Sequence, residues 1–531
     1  MTTIDVDPMA ALRSARRMSH GEQLARAARK SPDKVAYRFE DRSLTFAQLD
    51  ERVTRLAHAL EERGVHRGDR VAVLMMNRLE VVESYLAGCR LGAIVVPINF
   101  RLVADEVAYI AADSGAKVLL VDAGLAELAG SVRADVAGLV ACLVAGGDQD
   151  DVGAAGPGAE AYDEVVASAS TEPLAIDVDE HEPAFIMYTS GTTGRPKGAV
   201  LSHFNLVMNT LHMMVEMGIA GSDEVWLSGL PLFHIGGLNG ILPYLMVGGT
   251  AVIMPSGQFD GATVVDALER ERITGCYFVP TQWQQICAVS GVRDRDLALR
   301  RISWGASVAP PSVLEAMAAT FPGVPNYNAF GQTEMSSVTC VLKGEDAVRK
   351  MGSVGKPIVN IEARLVDEDM HDVAVGEVGE IVYRGPTVLQ EYWGKPEATD
   401  DAFTGGWFHS GDLCTMDDEG YITVVDRKKD MIISGGENIY CAEVEAVIDA
   451  HPGVAEVALI GLPHERWVET PRALIVATNP TAPPSEQEII DWCKGRLASY
   501  KKPTSVVVID ALPRNASGKV LKTQLRAEHG T

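Results

Sequence analysis

The 531-residue sequence predicts an α/β protein with a smaller β-rich region and a mixed α+β tail. Three observations support this. Strand-sized apolar runs alternate with helix-periodic segments as far as about residue 328. The spacing then shortens and strands dominate over about 352–425, and a stretch with its own helices and strands follows the charged run Asp426–Asp430. Alternating strands and helices with near-continuous apolar strands argue for parallel sheets covered on both faces.

The first strand is Val35–Phe39. Thr45-Phe46-Ala47-Gln48 has the spacing of a capping box and opens a helix to about Arg63, with Leu49, Val53, Leu56, Ala57 and Leu60 on its apolar face. Arg70–Met76 reads as a buried strand, Ala93–Val96 as another stopped by Pro97, Ala104–Ala112 as a helix and Lys117–Val121 as a strand. The Gly-rich, acidic stretch 145–160 reads as an exposed loop. A second αβ series runs from about Ala184 to Asn328, and Glu362–Val366, Glu380–Arg384 and Tyr421–Val425 are the strands of the β-rich region. Met208, Met213, Met214 and Met217 stripe the helix Leu206–Met217, as a core face or as the flank of an acyl tunnel; the core face is the preferred reading. There are no internal repeats.

Hydrophobic residues make up 47% of the chain and charged residues 22%, enough apolar material for a packed core. The net charge of -25 repels a phosphate backbone, so nucleic acid is not an expected partner. An anionic substrate must therefore meet a local positive site. The eight cysteines form no CxxC pair and no metal-ligand spacing with histidine, and read as buried hydrophobes in a reducing compartment. The acidic N-terminus lacks the apolar run of a signal peptide, and no uninterrupted apolar stretch reaches about 18 residues. A cytoplasmic protein without a transmembrane segment is expected. The basic opening Arg13, Arg16, Arg17, Arg26, Arg29 and Lys30 would suit weak peripheral contact with an anionic membrane, although a solvated helix face is preferred. A homo-oligomer is compatible with the sequence.

The most informative stretch is Tyr188-Thr189-Ser190-Gly191-Thr192-Thr193-Gly194-Arg195-Pro196-Lys197-Gly198. Its glycines let the backbone approach a ligand closely, its hydroxyls and N–H groups suit polyphosphate oxygens, and Lys197 adds a point charge. The spacing is not that of the Walker loop, and Ala199–Leu201 looks like a strand. The loop is therefore expected to hold phosphates between two strands.

At this string the sequence resembles the adenylate-forming superfamily: acyl-CoA synthetases, aryl-CoA ligases, peptide-synthetase adenylation domains and luciferase. The resemblance continues in order through Pro231-Leu232-Phe233-His234-Ile235-Gly236-Gly237, Ala329-Phe330-Gly331-Gln332-Thr333-Glu334 and Trp407-Phe408-His409-Ser410-Gly411-Asp412. It extends through Asp426–Asp430, Ser434-Gly435-Gly436-Glu437-Asn438 and Pro513-Arg514-Asn515-Ala516-Ser517-Gly518-Lys519. Within the superfamily the sequence is most similar to actinobacterial fatty-acyl-CoA ligases. The resemblance implies an N-terminal ATP- and acyl-binding domain, 1–427, of two helix-covered sheets and a small β-barrel subdomain, and a mobile α+β C-terminal domain, 428–531.

It also implies ATP, Mg²⁺ and coenzyme A as partners of a small carboxylic acid. Thr189, Ser190, Gly191, Thr192, Thr193, Gly194 and Lys197 would hold phosphate. Glu334 would bind Mg²⁺, and Thr333 would reach phosphate beside it. Phe330, replacing the usual Tyr, would stack on adenine, and Gly331 and Gln332 would belong to the nucleotide- and phosphate-binding set. Asp412 and Arg427 would grip the ribose, with Ser410 replacing the usual Thr. Lys519 would bridge the carboxylate and the α-phosphate. Phe233, His234, Gly236, Gly305 and Ala306 would line the acyl pocket, with further walls from Val279–Gln282 and Asn328–Phe330. Lys429 would be the hinge, and Gly435 and Gly436 would border the coenzyme A tunnel. Val468 stands where the family usually has Gly, which affects the thiol side.

The expected reaction is fatty-acyl-CoA ligation through an acyl-adenylate. An aryl or cyclic acid is the main rival substrate. An acyl-AMP ligase that loads a carrier protein, and a non-catalytic AMP-binding sensor, are the other readings. Intact Lys197, Glu334, Asp412 and Lys519 argue against the sensor. His234, where peptide-synthetase domains carry Asp, argues against amino acids.

Overall fold

A computed structural model of the protein describes residues 15–174, 176–189, 195–305, 309–435, 437–514 and 519–530. The chain divides into two compact units: Met1–Glu362 with Arg384–Phe403, and Ala363–Tyr383 with Thr404–Thr531.

The first unit contains two large sheets. The eight-stranded one runs in the order Glu391–Tyr392, Lys197–Ser202, Pro183–Thr189, Ile94–Pro97, Arg70–Leu74, Ala116–Asp122, Ala141–Ala145 and Ala159–Ala161. From Pro183–Thr189 to Ala159–Ala161 its strands are parallel, and Leu74, Val96, Leu119, Val121, Ile186 and Val200 pack with the covering helices at almost no exposure. The nine-stranded sheet runs Lys356–Pro357, Ser337–Leu342, Asn326–Gln332, Arg301–Gly305, Gly275–Phe278, Val225–Ser228, Thr250–Ile253, Val35–Phe39 and Arg42–Thr45. Its core centres on Trp283, which donates from Nε1 to the Ser303 carbonyl at 3.0 Å and meets Phe278 and Phe321 edge-on.

Local signals placed many boundaries well. Thr45 and Gln48 form the expected capping box, and that helix spans Phe46–Glu62. The methionine-striped helix is His203–Met217, with Met213 and Met217 buried in the core. Seven cysteines are buried, Cys287 is half-buried, and all eight are unpaired.

The stretch 145–160 departs from the expected loop. Asp148 accepts the amide N–H groups of Asp150 and Asp151 and caps a short helix, Gln149–Ala154. Ala159–Ala161 then pairs with Ala141–Ala145 at the sheet edge. The acidic residues that read as loop composition act as a helix cap. Strand assignment also crosses the sequence order. Val35–Phe39 joins the sheet of the second αβ series, and Pro183–Thr189 joins that of the first.

A bidentate pair links two strand starts of the nine-stranded sheet: Arg301 reaches Glu224 at 2.7 and 2.8 Å, with side chains 7% and 3% exposed. Burial alone would raise the Glu224 carboxyl, but the bonds from Arg301 and Thr274 outweigh it and hold it below its usual range. The pair's contribution is therefore complete above the carboxyl's unfolded value and fades as pH falls through the lowered one. Arg301→Met takes the bidentate partner from a buried carboxylate, leaving it the Thr274 hydroxyl and Arg300 at 3.5 Å, and is expected to cost about 3 kcal/mol. A urea midpoint at neutral pH close to the parent's would refute that.

Glu362–Val366, Gly379–Arg384, Phe408–Met416 and Ile422–Arg427 form a four-stranded sheet, most of it in the second unit. The C-terminal part is a five-stranded sheet of Glu437–Ile439, Ile432–Ser434, Val468–Ala477, Val454–His464 and Ser505–Val508. Ile439, Val444, Ile448, Leu459, Ile475 and Ile489 fill its core. Among the described residues no helix is long and apolar enough to cross a membrane.

Candidate active site

The phosphate-loop string lies where the sequence places it, between two strands. Pro183–Thr189 and Lys197–Ser202 pair antiparallel, and Thr189 opposite Lys197 is the pair at the end of the ladder. Ser190, Gly191, Thr192, Thr193 and Gly194 lie outside the described residues. Both stems are tied to the helix Ala104–Ser114. Tyr188 Oη donates to Asp113 Oδ2 at 2.7 Å, and Tyr109 Oη donates to the Pro196 carbonyl at 3.2 Å. The Arg195 guanidinium lies 5.0 Å above the Tyr109 ring, and Lys395 pairs with Asp113 at 3.0 Å. Gly198 is required for space, since a Cβ there would sit 2.5 Å from Ile186 Cγ2.

Glu334 lies in a tight turn, Thr333–Met335, and faces these stems. Thr189 Oγ1 and Tyr392 Oη donate to the same Glu334 oxygen, at 3.2 and 3.1 Å. Lys197 Nζ lies 5.3 Å from the centre of the Tyr392 ring. Burial, and then the Glu334 charge, push the Tyr392 hydroxyl well above its usual range, so it stays a donor. A half-buried carboxylate beside two hydroxyls is a hard oxygen set of the kind Mg²⁺ prefers.

Buried asparagines hold the chain just beyond the turn. Asn239 donates to the Ser336 carbonyl and to Asn209 Oδ1, and Asn209 donates to the Val338 carbonyl at 2.8 Å. Ser336 is held at φ 63°, an unusual conformation for a residue with a Cβ. Gly331 admits no side chain, because a Cβ would fall 1.8 Å from the Ser337 oxygen. Phe330, Gln332 and Thr333 are half-buried on the same strand and turn.

The elements expected to line an acyl pocket follow the carboxyl ends of adjacent parallel strands. Val225–Ser228 leads to Phe233–Gly237, Gly275–Phe278 to Val279–Gln282, Arg301–Gly305 ends on Gly305, and Asn326–Gln332 contains Phe330. Ligands of open α/β sheets bind at this edge. His234 caps the helix Ile235–Val247, its Nδ1 accepting from Gly236 N at 3.1 Å. The preceding turn is pinned by Asn77, which accepts from Leu232 N and donates to the Leu230 and Met254 carbonyls. Phe233 meets Phe100 edge-on at 5.4 Å. At Gly305 a Cβ would lie 2.2 Å from the Ala329 oxygen and 2.6 Å from Tyr277 Oη. Ala306 is outside the described residues.

In the second unit, Asp412 and Arg427 oppose each other across paired strands, with Nε 2.7 Å from Oδ1. Asp412 N donates to Ser410 Oγ, which itself donates to the Ile381 carbonyl. Glu380 beneath them accepts from Gly411 N, His409 and Lys428. Burial would raise its carboxyl, but His409 and Lys428 outweigh burial and keep it lowered. Lys429 is exposed in the turn after this strand, and Lys519 is exposed beside the bridge that pairs Arg514 with Val520.

Gly435 adopts φ +61° and packs its Cα face on the Trp467 ring, where a Cβ would come within 2.8 Å. Gly436 lies outside the described residues. Val468, opposite Ser434, is held at φ 70° with its side chain exposed. A β-branched residue there is strained by about 1–2 kcal/mol. Val468→Gly should therefore stabilise the protein by about 1 kcal/mol, less the chain entropy of glycine. An unchanged or lowered urea midpoint would count against strain at Val468.

Sequence reasoning missed Asp113, Tyr109, Tyr392 and Glu380. Tyr392 had a weak signal, an aromatic pair before Gly394. The others carried none, since a helix aspartate and a strand glutamate read as solvated charges.

Comparison with known proteins gives two family matches: an AMP-binding enzyme model over residues 24–393 and an AMP-binding enzyme C-terminal domain model over residues 443–519. A feruloyl-CoA synthase from Amycolatopsis sp is 40% identical over 512 residues, covering 96% of this chain and 99% of that protein. The long-chain-fatty-acid–CoA ligase FadD13 of Mycobacterium tuberculosis is 38% identical over 492 residues, covering 92% and 94%. Among solved structures, the o-succinylbenzoate coenzyme A synthetase MenE of Bacillus subtilis, in complex with ATP and magnesium, superposes with a TM-score of 0.82. It is 33% identical and covers 95% of this chain and 99% of that one.

Proposed function

Because the chain belongs to the AMP-binding enzyme family, we propose that it joins an apolar carboxylic acid, a fatty acid foremost, to coenzyme A through an acyl-adenylate. The observation that supports this best is the convergence of Thr189 and Tyr392 on Glu334, with Lys197 lying over the Tyr392 ring.

In the first half-reaction the acid's carboxylate oxygen attacks the α-phosphorus of ATP and pyrophosphate leaves. Two unit charges about 4 Å apart repel by about 4 kcal/mol at an effective dielectric near 20. Lys197 and the loop hydroxyls lower that repulsion by holding the phosphates, and Lys519 bridges the carboxylate and the α-phosphate. Mg²⁺ held by Glu334 would supply further neutralisation of the polyphosphate. Asp412 offers two acceptor oxygens to the ribose hydroxyls, with Arg427 beside it. In the second half-reaction the coenzyme A thiol attacks the acyl carbonyl, a thioester forms and AMP leaves.

Movement of residues 428–531 about Lys429 would exchange one site for the other. Lys429→Pro removes a backbone donor and fixes φ in that turn. It should spare adenylate formation and lower thioester yield at least about tenfold. Unchanged thioester yield would defeat the hinge assignment.

An aryl acid is the second reading, favoured by the 40% identity to a feruloyl-CoA synthase over nearly the whole chain. The test is pyrophosphate release with ATP and Mg²⁺ across fatty and aromatic acids, with and without coenzyme A. Coenzyme A-dependent turnover to AMP and thioester supports a ligase and names its acid. A single-turnover burst indifferent to coenzyme A would point to carrier-protein loading, and no release with any acid would overturn the proposal.

A further inference from the structure

The C-terminal helix Lys522–His529 begins three residues after Lys519. Lys522 is half-buried, its Nζ 2.7 Å from Glu445 Oε1 on the helix Cys441–Asp449. That carboxylate oxygen also accepts the Leu459 N–H at 2.7 Å, so the acceptor is itself fixed. One turn further on, Arg526 pairs with Asp430 at 2.9 Å. The i, i+4 spacing places both cations on one face of the helix.

Two carboxylates flank the turn that contains Lys429: Asp430, which pairs with Arg526, and Asp426, which feels the Lys522 charge. Asp426, on its N-terminal side, accepts the amides of Arg427 and Cys441. Burial raises the Asp426 carboxyl, and the Lys522 charge opposes that rise. Asp430, on the other side, takes Arg526, and its carbonyl takes the Cys441 thiol at 3.0 Å. A half-buried cation with acidic neighbours is more than a surface ion pair, and it joins two segments far apart in sequence.

We propose that Lys522 and Arg526 are positioning residues, a strut that couples the turn Arg427–Asp430 to the segment bearing Lys519. The proposal rests on the roles given above to Lys429 and Lys519. Three residues span at most about 10 Å, so a fixed Lys522 confines where Lys519 can stand. When the turn changes conformation, the strut transmits the change to Lys519. Without it the lysine samples a wider volume, and adenylate formation suffers because the reacting groups must be aligned closely.

The helix has a second, apolar attachment. Leu525 is fully buried against Ala458, Ile460, Leu474 and Leu512, so removing the strut leaves the helix docked. Lys522→Met keeps the length and the apolar stem. It should lower adenylate formation, read as pyrophosphate release in a single turnover, by about 10- to 100-fold. Thioester formation from supplied acyl-adenylate should stay within about twofold, and Lys522→Arg should recover much of the loss. Equal loss in both half-reactions, or loss in neither, would overturn the strut.

Should Lys522→Met fail to fold, Arg526→Met, at a 32% exposed side chain, takes the same test. Lys519→Ala run alongside separates the two claims. Loss of adenylation there with none in Lys522→Met overturns the strut alone. No loss in Lys519→Ala overturns the role of Lys519, and the strut with it.

Discussion

Lys519→Ala is expected to lower adenylate formation by about 10²–10³-fold while acyl-adenylate supplied from outside is still converted to thioester. The magnitude is that of removing one preorganised charge from a site where charge develops. In the first half-reaction two anions must meet, and a mobile ammonium can neutralise both together. In the second, the attacking thiol and the adenylate present no such clash at the α-phosphate, so Lys519 has little left to do. The measurement is pyrophosphate release and thioester yield on the same preparation. Parallel loss in both would defeat the assignment of Lys519 to the first half-reaction.

Glu334→Gln should produce a loss of similar size, about 10²–10³-fold in kcat/KM for ATP, again confined to adenylation. The change is isosteric, so the hydroxyls of Thr189 and Tyr392 keep an acceptor and the turn Thr333–Met335 keeps its bond from Leu389 N. What disappears is the negative charge. More Mg²⁺ should then be needed for half-maximal rate, and the Tyr392 hydroxyl should titrate lower than in the parent, because one of its two causes of elevation is gone. Full activity at ordinary Mg²⁺ would remove Glu334 from the metal site.

Much of this arrangement was legible in the chain. Thr45 and Gln48 announced their helix by spacing, and the string around Thr189 announced a loop between strands because its stems are apolar and β-prone. Val468 was visible as a departure, although only coordinates show that it occupies a left-handed conformation. The rest was hidden for a physical reason. Asp113, Glu380 and Tyr392 act through partners that are distant in sequence, such as Tyr188, Lys428 and Glu334, and one-dimensional spacing does not encode those meetings. The stretch 145–160 misled because an aspartate cap and an acidic loop share a composition. The sheet partners of Val35–Phe39 were equally hidden, since strand order is decided by crossovers that leave no local trace.

That last strand sets a delay in how the molecule is made. Val35–Phe39 pairs with Thr250–Ile253, and the Thr250 hydroxyl bonds the Val35 carbonyl across 215 positions of chain. At about 5–20 residues per second, a ribosome exposes the earlier partner roughly 10–40 s before the later one. During that interval the strand has its hairpin neighbour Arg42–Thr45 on one side and an open edge on the other, and parallel pairing at such separation is among the slowest steps available to a polypeptide. The N-terminal segment is therefore born early and seated late. Until it is seated, its open edge is a template on which another chain can pair.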